Sequence, residues 1–184
     1  MSLCERIPGA EIKPLSDSLV RVQHRVRKGD LMTAQAPSTR RYAETAVQKA
    51  ALIVGIVFIV VGIAGFIPGL TTNMETMQFA GHTSEALLLG VFQVSILHNI
   101  VHLLFGIAGV ALARSFSGSR NYLIWGGAIY AVLWLYGLFL AGDHPANFVP
   151  LNTADNWLHL VLAVGMILLG VLLGRRDRVT ARTA

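Results

Sequence analysis

Four long uncharged apolar runs organise the chain: Ala50–Ile67, Leu87–Ala113, Leu123–Ala141 and Trp157–Gly174. A helix needs about 20 apolar residues (range ~17–25) to cross a hydrocarbon core, so each run predicts a transmembrane helix. The second, at 27 residues, is longer than a straight crossing requires and is expected to tilt or project beyond the bilayer. No segment alternates with strand period over ~10 residues, which argues against a β-barrel. The pattern therefore predicts an all-α fold, a four-transmembrane-helix bundle with spans near 50–67, 87–113, 123–141 and 157–174. Its membrane domain covers 48–174, between a disordered cytoplasmic tail over 1–47 and a basic cytoplasmic tail over 175–184.

The polar interruptions of these runs carry the candidate chemistry. One polar signature occurs twice, as His98-Asn99-Ile100-Val101-His102-Leu103 and as Asp155-Asn156-Trp157-Leu158-His159-Leu160. Ionisable side chains inside membrane segments are costly and usually functional. Residues four apart share a helix face, so His98 stacks over His102 and Asp155 over His159. His102 is 12 residues from Arg114 and His159 is 16 from Arg175. At ~1.5 Å per residue these are roughly 18 and 24 Å, which puts both in the outer half of a ~30 Å core.

Composition and charge fix the setting. Of 184 residues, 54% are hydrophobic and 14% charged, with a mean hydropathy of +0.59; a soluble domain carries about 25% charged residues. All 15 Lys and Arg lie before the first run, between the second and third, or after the fourth, and residues 68–86 and 142–156 contain none. The positive-inside rule then places both termini and the middle loop in the cytoplasm. The net charge of +5 reads as topology plus attraction to anionic lipid, not as nucleic-acid binding, because the cations are not interleaved with aromatics. The lone Cys4 leaves no internal disulfide. Residues 1–31 lack the apolar core of a signal peptide, and Lys28-Gly29-Asp30 before Met32 suggests Met32 as the natural start, since those codons are purine-rich like a ribosome-binding site.

Small residues predict how the helices associate, because lipid gives them no hydrophobic reason to do so. Gly65/Gly69, Gly109/Ala113, Gly127/Ala131 and Gly170/Gly174 have small-x-x-x-small spacing, and Gly55 and Gly62 lie a heptad apart. Pro68 is expected to end the first span. The doubled signature predicts a two-plus-two parallel pseudo-repeat about an axis along the membrane normal, echoed by Phe66-Ile67-Pro68 and Phe148-Val149-Pro150.

Two function classes follow. In the first, the protein is a structural or accessory membrane component with no cofactor. His98, Asn99, His102, Asp155, Asn156 and His159 are then interhelical glue worth ~0.6–2 kcal/mol per contact, and Asp155 sits at N3 of a helix capped by Asn152. In the second, the same cluster holds a ligand between spans two and four. His98, His102, Asp155 and His159 suit a borderline metal, His102 and His159 a haem held from both faces, and any donor at that depth a quinone head group. A proton relay is a third use of such residues. His82, Glu85 and His144 in the outer connectors read as solvated, and Met74, Glu75 and Met77 make no metal site. No phosphate-cradling loop, nucleophile elbow or Cys-rich motif nominates an enzyme. Partners are expected to be the bilayer and a membrane protein or second copy, not nucleic acid.

Several of these stretches together resemble a known group. Gly65-Phe66-Ile67-Pro68-Gly69, the run Leu97 to Leu103, Ala113-Arg114 and the run Pro150 to His159 are similar to small four-span membrane proteins of high-GC Gram-positive bacteria, the family called domain of unknown function 4383. The resemblance covers about residues 48–174 and implies a bacterial cytoplasmic-membrane protein. It implies no activity.

Overall fold

The structure, a computed structural model, describes residues 42–140 and 148–183, with side chains described to residue 175. The expectations for residues 1–41, including the Met32 start, and for His144 fall outside the described residues. Among the described residues there are four α-helices: α1 (Ala46–Ala64), α2 (Ile96–Leu112), α3 (Phe116–Leu140) and α4 (Thr153–Thr183). Three are long and apolar enough to cross a membrane: α1, α3 and α4 over Thr153–Arg175. Only 28% to 33% of their apolar windows is buried inside the protein. Ile53, Val60, Leu104, Trp125, Val132, Phe139, Val161 and Leu172 stand exposed, while Asn99, His102, Asp155 and His159 are buried. That inversion of the usual soluble pattern is what a lipid solvent selects.

The helices start and stop where backbone chemistry, not hydropathy, dictates. Thr45 caps α1 in a reciprocal box with Gln48, so the helix begins four residues before the apolar run. It ends at Ala64 with Gly65 as cap, ahead of Pro68. The α3 helix starts at Phe116, not 123, through a polar first turn in which Ser115 Oγ accepts from Gly118 N at 3.1 Å. The α4 helix overruns the expected span at both ends and continues to Thr183 through the segment expected as a tail.

The largest correction concerns the second run. Its first nine residues are not helical. Leu87–Leu88 and Phe92–Gln93 are strands β2 and β3, which with β1 (Thr71–Thr72) form an antiparallel sheet in the order β1-β2-β3. Leu89 and Gly90 take positive φ of 53° and 69° and turn the chain back, a conformation glycine adopts freely. Helix resumes only at Ile96, where Ser95 caps α2 by accepting from His98 N at 3.2 Å, and α2 is 17 residues long. The sheet covers one end of the bundle on a small core of Ala86, Leu88 and Val94 packed against Val61, Ala64, Met77 and Phe92.

The helices associate as two hairpins. The α1 helix packs chiefly on α2, and α3 chiefly on α4, with α1 also touching α3 and α4. Glycines set both intimate contacts. A Cβ at Gly55 would stand 2.8 Å from Gly106 O and Val110 N, and one at Gly127 would stand 2.7 Å from the Ile167 side chain and 2.9 Å from Ala163 O. Gly62 lies against Leu103 and the Asn99 backbone, as its placement a heptad from Gly55 implies. Gly69 is not part of a helical pair: it sits in a turn at φ 90° with open space around it. Gln48 Nε2 donates to Ala113 O at 3.0 Å, Tyr42 OH to Val110 O at 2.5 Å, and Arg120 packs beside Gly174. Lys49, Arg114, Arg120 and Arg175 therefore share one end of the bundle, and the sheet occupies the other.

Candidate functional site

The six signature residues separate into two groups of three. Asn99, Asn156 and Asp155 serve the fold. Asn99 is 2% exposed, and its amide fills the space over Gly65; a Cβ there would overlap Asn99 Oδ1. Asn156 does the same over Gly137. Asn99 Nδ2 and Asn156 Oδ1 are buried without hydrogen-bond partners among the described residues, and both amides pack by shape against a glycine. Asp155 is engaged through one carboxylate oxygen: its Oδ2 accepts from Asn152 N at 3.1 Å and from Gln93 N of β3 at 3.0 Å, while Asp155 N donates to Asn152 Oδ1 at 2.9 Å. That is a reciprocal N-cap of α4, as its sequence position indicates, with an added tie from the second hairpin to the sheet of the first.

His98, His102 and His159 instead gather around one cavity of about 270 Å³, whose wall also includes Val101, Tyr130, Leu133 and Phe148. His98 and His102 stack with ring centroids 4.4 Å apart at 9°, and His102 Nδ1 lies 3.0 Å from His98 O. His159 is 3% exposed, and its Nδ1 has no hydrogen-bond partner among the described residues. The mouth lies among Val101, Ile129 and Phe148, which are 50%, 52% and 63% exposed on the apolar exterior.

Two aromatic rings that the sequence reading passed over build the back of this site. Phe58 of α1 and Tyr130 of α3 stack at 5.5 Å and 12° in the middle of the bundle. Phe58 meets His102 at 5.4 Å and 49°, and Tyr130 meets His159 at 5.3 Å and 49°. The signal for them was present: Gly55 and Gly65 are ten apart, as are Gly127 and Gly137, and an aromatic follows three residues after the first glycine of each pair. Among the described residues, no group of three or more His, Cys, Asp or Glu is arranged to hold a metal ion.

A family model, the domain of unknown function (DUF4383), matches residues 48–172. The chain belongs to that family. No curated protein and no solved structure matches it. The matched span of this DUF4383 chain takes in both hairpins, the sheet and all six signature residues.

Proposed function

We propose that this protein is a four-span protein of the bacterial cytoplasmic membrane, built as a two-plus-two parallel pseudo-repeat, that receives the ring of a quinone-class lipid in the cavity between the hairpins. The observation that carries this reading is the meeting of three histidines on one small apolar cavity, one of them with a buried, unpartnered ring nitrogen. A buried polar atom without a partner costs about 1–3 kcal/mol and calls for an explanation. A ligand carbonyl or hydroxyl, met by a turn of the His159 ring toward the cavity, supplies one. Interhelical glue is the weaker account of these three residues, because among the described residues the ring hydrogen bond they make, from His102 to His98 O, stays within α2.

The ligand class follows from size and donor set. Drug-sized ligands occupy ~300–1,000 Å³, so about 270 Å³ suits one substituted ring and not a porphyrin. Asp155, the carboxylate a metal would use, is tied to Asn152 and Gln93. An opening on the apolar exterior favours a molecule that arrives through lipid and leaves its tail there.

The repeat is supported by register. A shift of 72 residues carries Gly55, Phe58 and Gly65 onto Gly127, Tyr130 and Gly137, and a shift of 57 carries Ser95, Asn99 and His102 onto Asn152, Asn156 and His159. The fourth crossing is supported by α2 lying along α1 from Gly55 to Gly65. The bare outer connectors and the shared basic end favour cytoplasmic termini facing anionic lipid.

Solvent extraction of the detergent-purified protein, followed by absorbance and mass analysis, tests the reading. About one quinone-class molecule per chain is expected, with loss in His159→Leu while the protein remains folded and monodisperse. A preparation that carries none, and takes up no added short-tailed naphthoquinone, overturns it.

A further inference from the structure

His102 also borders a second cavity, on the other side of the bundle. This one, of about 180 Å³, lies between α1 and α4, with Val57, Phe58, Val61, Leu158 and Leu162 in its wall. The shifts of 72 and 57 residues carry Val57, Phe58 and Val61 onto Ile129, Tyr130 and Leu133, and Val101 and His102 onto Leu158 and His159. Ile129, Tyr130, Leu133, Val101 and His159 are wall residues of the first cavity, and Leu158 is one of the second. The second cavity is thus the counterpart of the first, with the roles of the two hairpins exchanged.

The counterparts differ in polarity. The position equivalent to His98 is Asp155, which is withdrawn into the α4 cap, so His102 is the sole polar side chain in the second wall. Its hydrogen-bonding sense is fixed. His98 O is a carbonyl and accepts only, so the His102 nitrogen 3.0 Å from it, Nδ1, bears the proton. A neutral imidazole then leaves Nε2, the nitrogen farther from the backbone, as an acceptor. A doubly protonated ring has no carboxylate in either wall to pair with.

We infer that the α1/α4 cavity is a second ligand site, selective for a lipid-soluble phenol whose hydroxyl donates to His102 Nε2. A cavity of ~150 Å³ lined by Leu, Ile and Phe admits one benzene-sized ring, and about 180 Å³ leaves room for the hydroxyl. Ile53 and Val57, 61% and 52% exposed, frame an entrance on the apolar exterior. A carbonyl-only ring, such as the oxidised quinone, presents no donor there. A hydroxyl-bearing ring, such as a quinol, does.

The test measures binding of 4-propylphenol, its methyl ether and 1,4-benzoquinone to the full chain in detergent, by calorimetry. The phenol is expected to bind about three- to tenfold more tightly than the other two, the range one neutral hydrogen bond supplies. Val57→Trp, at a half-exposed position that fills the second cavity, removes phenol binding, and Leu133→Trp, which fills the first, leaves it intact. Val61→Phe is the alternative filler should Val57→Trp not fold. Equal affinities for phenol and ether, no phenol binding, or loss on Leu133→Trp alone each overturn the inference. Naphthoquinone uptake by Val57→Trp reports on the first cavity separately, so failure of one site is distinguishable from failure of the other.

Discussion

The two hairpins solve one packing problem with different residues. In α1–α2 the backbones meet glycine to glycine, with a Cβ at Gly106 placed 2.6 Å from Gly55 O. In α3–α4 glycine meets side chain first and backbone second, Gly127 against the Ile167 side chain at 2.7 Å and Ala163 O at 2.9 Å, and Gly126 against the Met166 side chain. Backbone cannot yield, whereas a flexible side chain can repack. The Gly55–Gly106 contact is therefore the less forgiving of the two, and the Gly127 contact the one with a movable side chain on one side. The polar positions of the two hairpins diverge as well. His98 is left to line a cavity, while Asp155 is spent on a cap and on the sheet of the other hairpin.

Leucine substitutions test that contrast most severely. Gly55→Leu is expected to cost more than the ~1–3 kcal/mol typical of overpacking and to abolish the folded monomer, because it meets Gly106 O and Val110 N at 2.8 Å. Gly127→Leu, which meets one backbone oxygen, Ala163 O at 2.9 Å, beside the movable Ile167 side chain, is expected to cost less, near the upper end of that range. Thermal unfolding in detergent, followed by size-exclusion chromatography, ranks them, and equal losses would break the distinction. The caps come next. Asp155→Ala removes two backbone bonds and exposes Gln93 N, a loss of about 1–3 kcal/mol. Ser95→Ala removes one cap, about 1 kcal/mol, so the α4 cap should prove the stronger in the same assay. The smallest effect has the opposite sign. Gly165 on α4 has nothing within 4 Å of an added Cβ, so Gly165→Ala is expected to stabilise by ~0.5–1 kcal/mol through helix propensity.

The apolar helices were legible because hydropathy reports solvent, and lipid is the solvent here. What hydropathy does not report is where a hydrogen-bonded helix begins. Residues 87–95 are uncharged and mostly apolar, like the helix that follows, yet Leu89–Gly90 turns the chain and Ser95 restarts it. The Asn152–Asp155 cap could be read directly, since capping is local chemistry. The division of the six signature residues could not. Asn99 and Asn156 face glycines 34 and 19 positions upstream, Gly65 and Gly137, and only tertiary packing pairs them. Phe58 and Tyr130 escaped notice because aromatics in an oily helix carry no contrast; their common offset from Gly55 and Gly127 was the available clue.

The shortness of α2 has a consequence for the surrounding lipid. Seventeen residues span about 26 Å at ~1.5 Å each, less than a ~30 Å hydrocarbon core. In the proposed setting the deficit falls at the outer end, where the sheet and its connector present Phe79, Leu89, Val91 and Phe148 outward. These oily side chains suit the glycerol boundary, and His98, in the first turn of α2, comes to lie near that plane. A thicker bilayer must then pinch inward beside α2 and draw lipid headgroups toward the mouth of the first cavity, while a thinner one leaves it clear. Acyl-chain length in the host membrane becomes a handle on ligand entry.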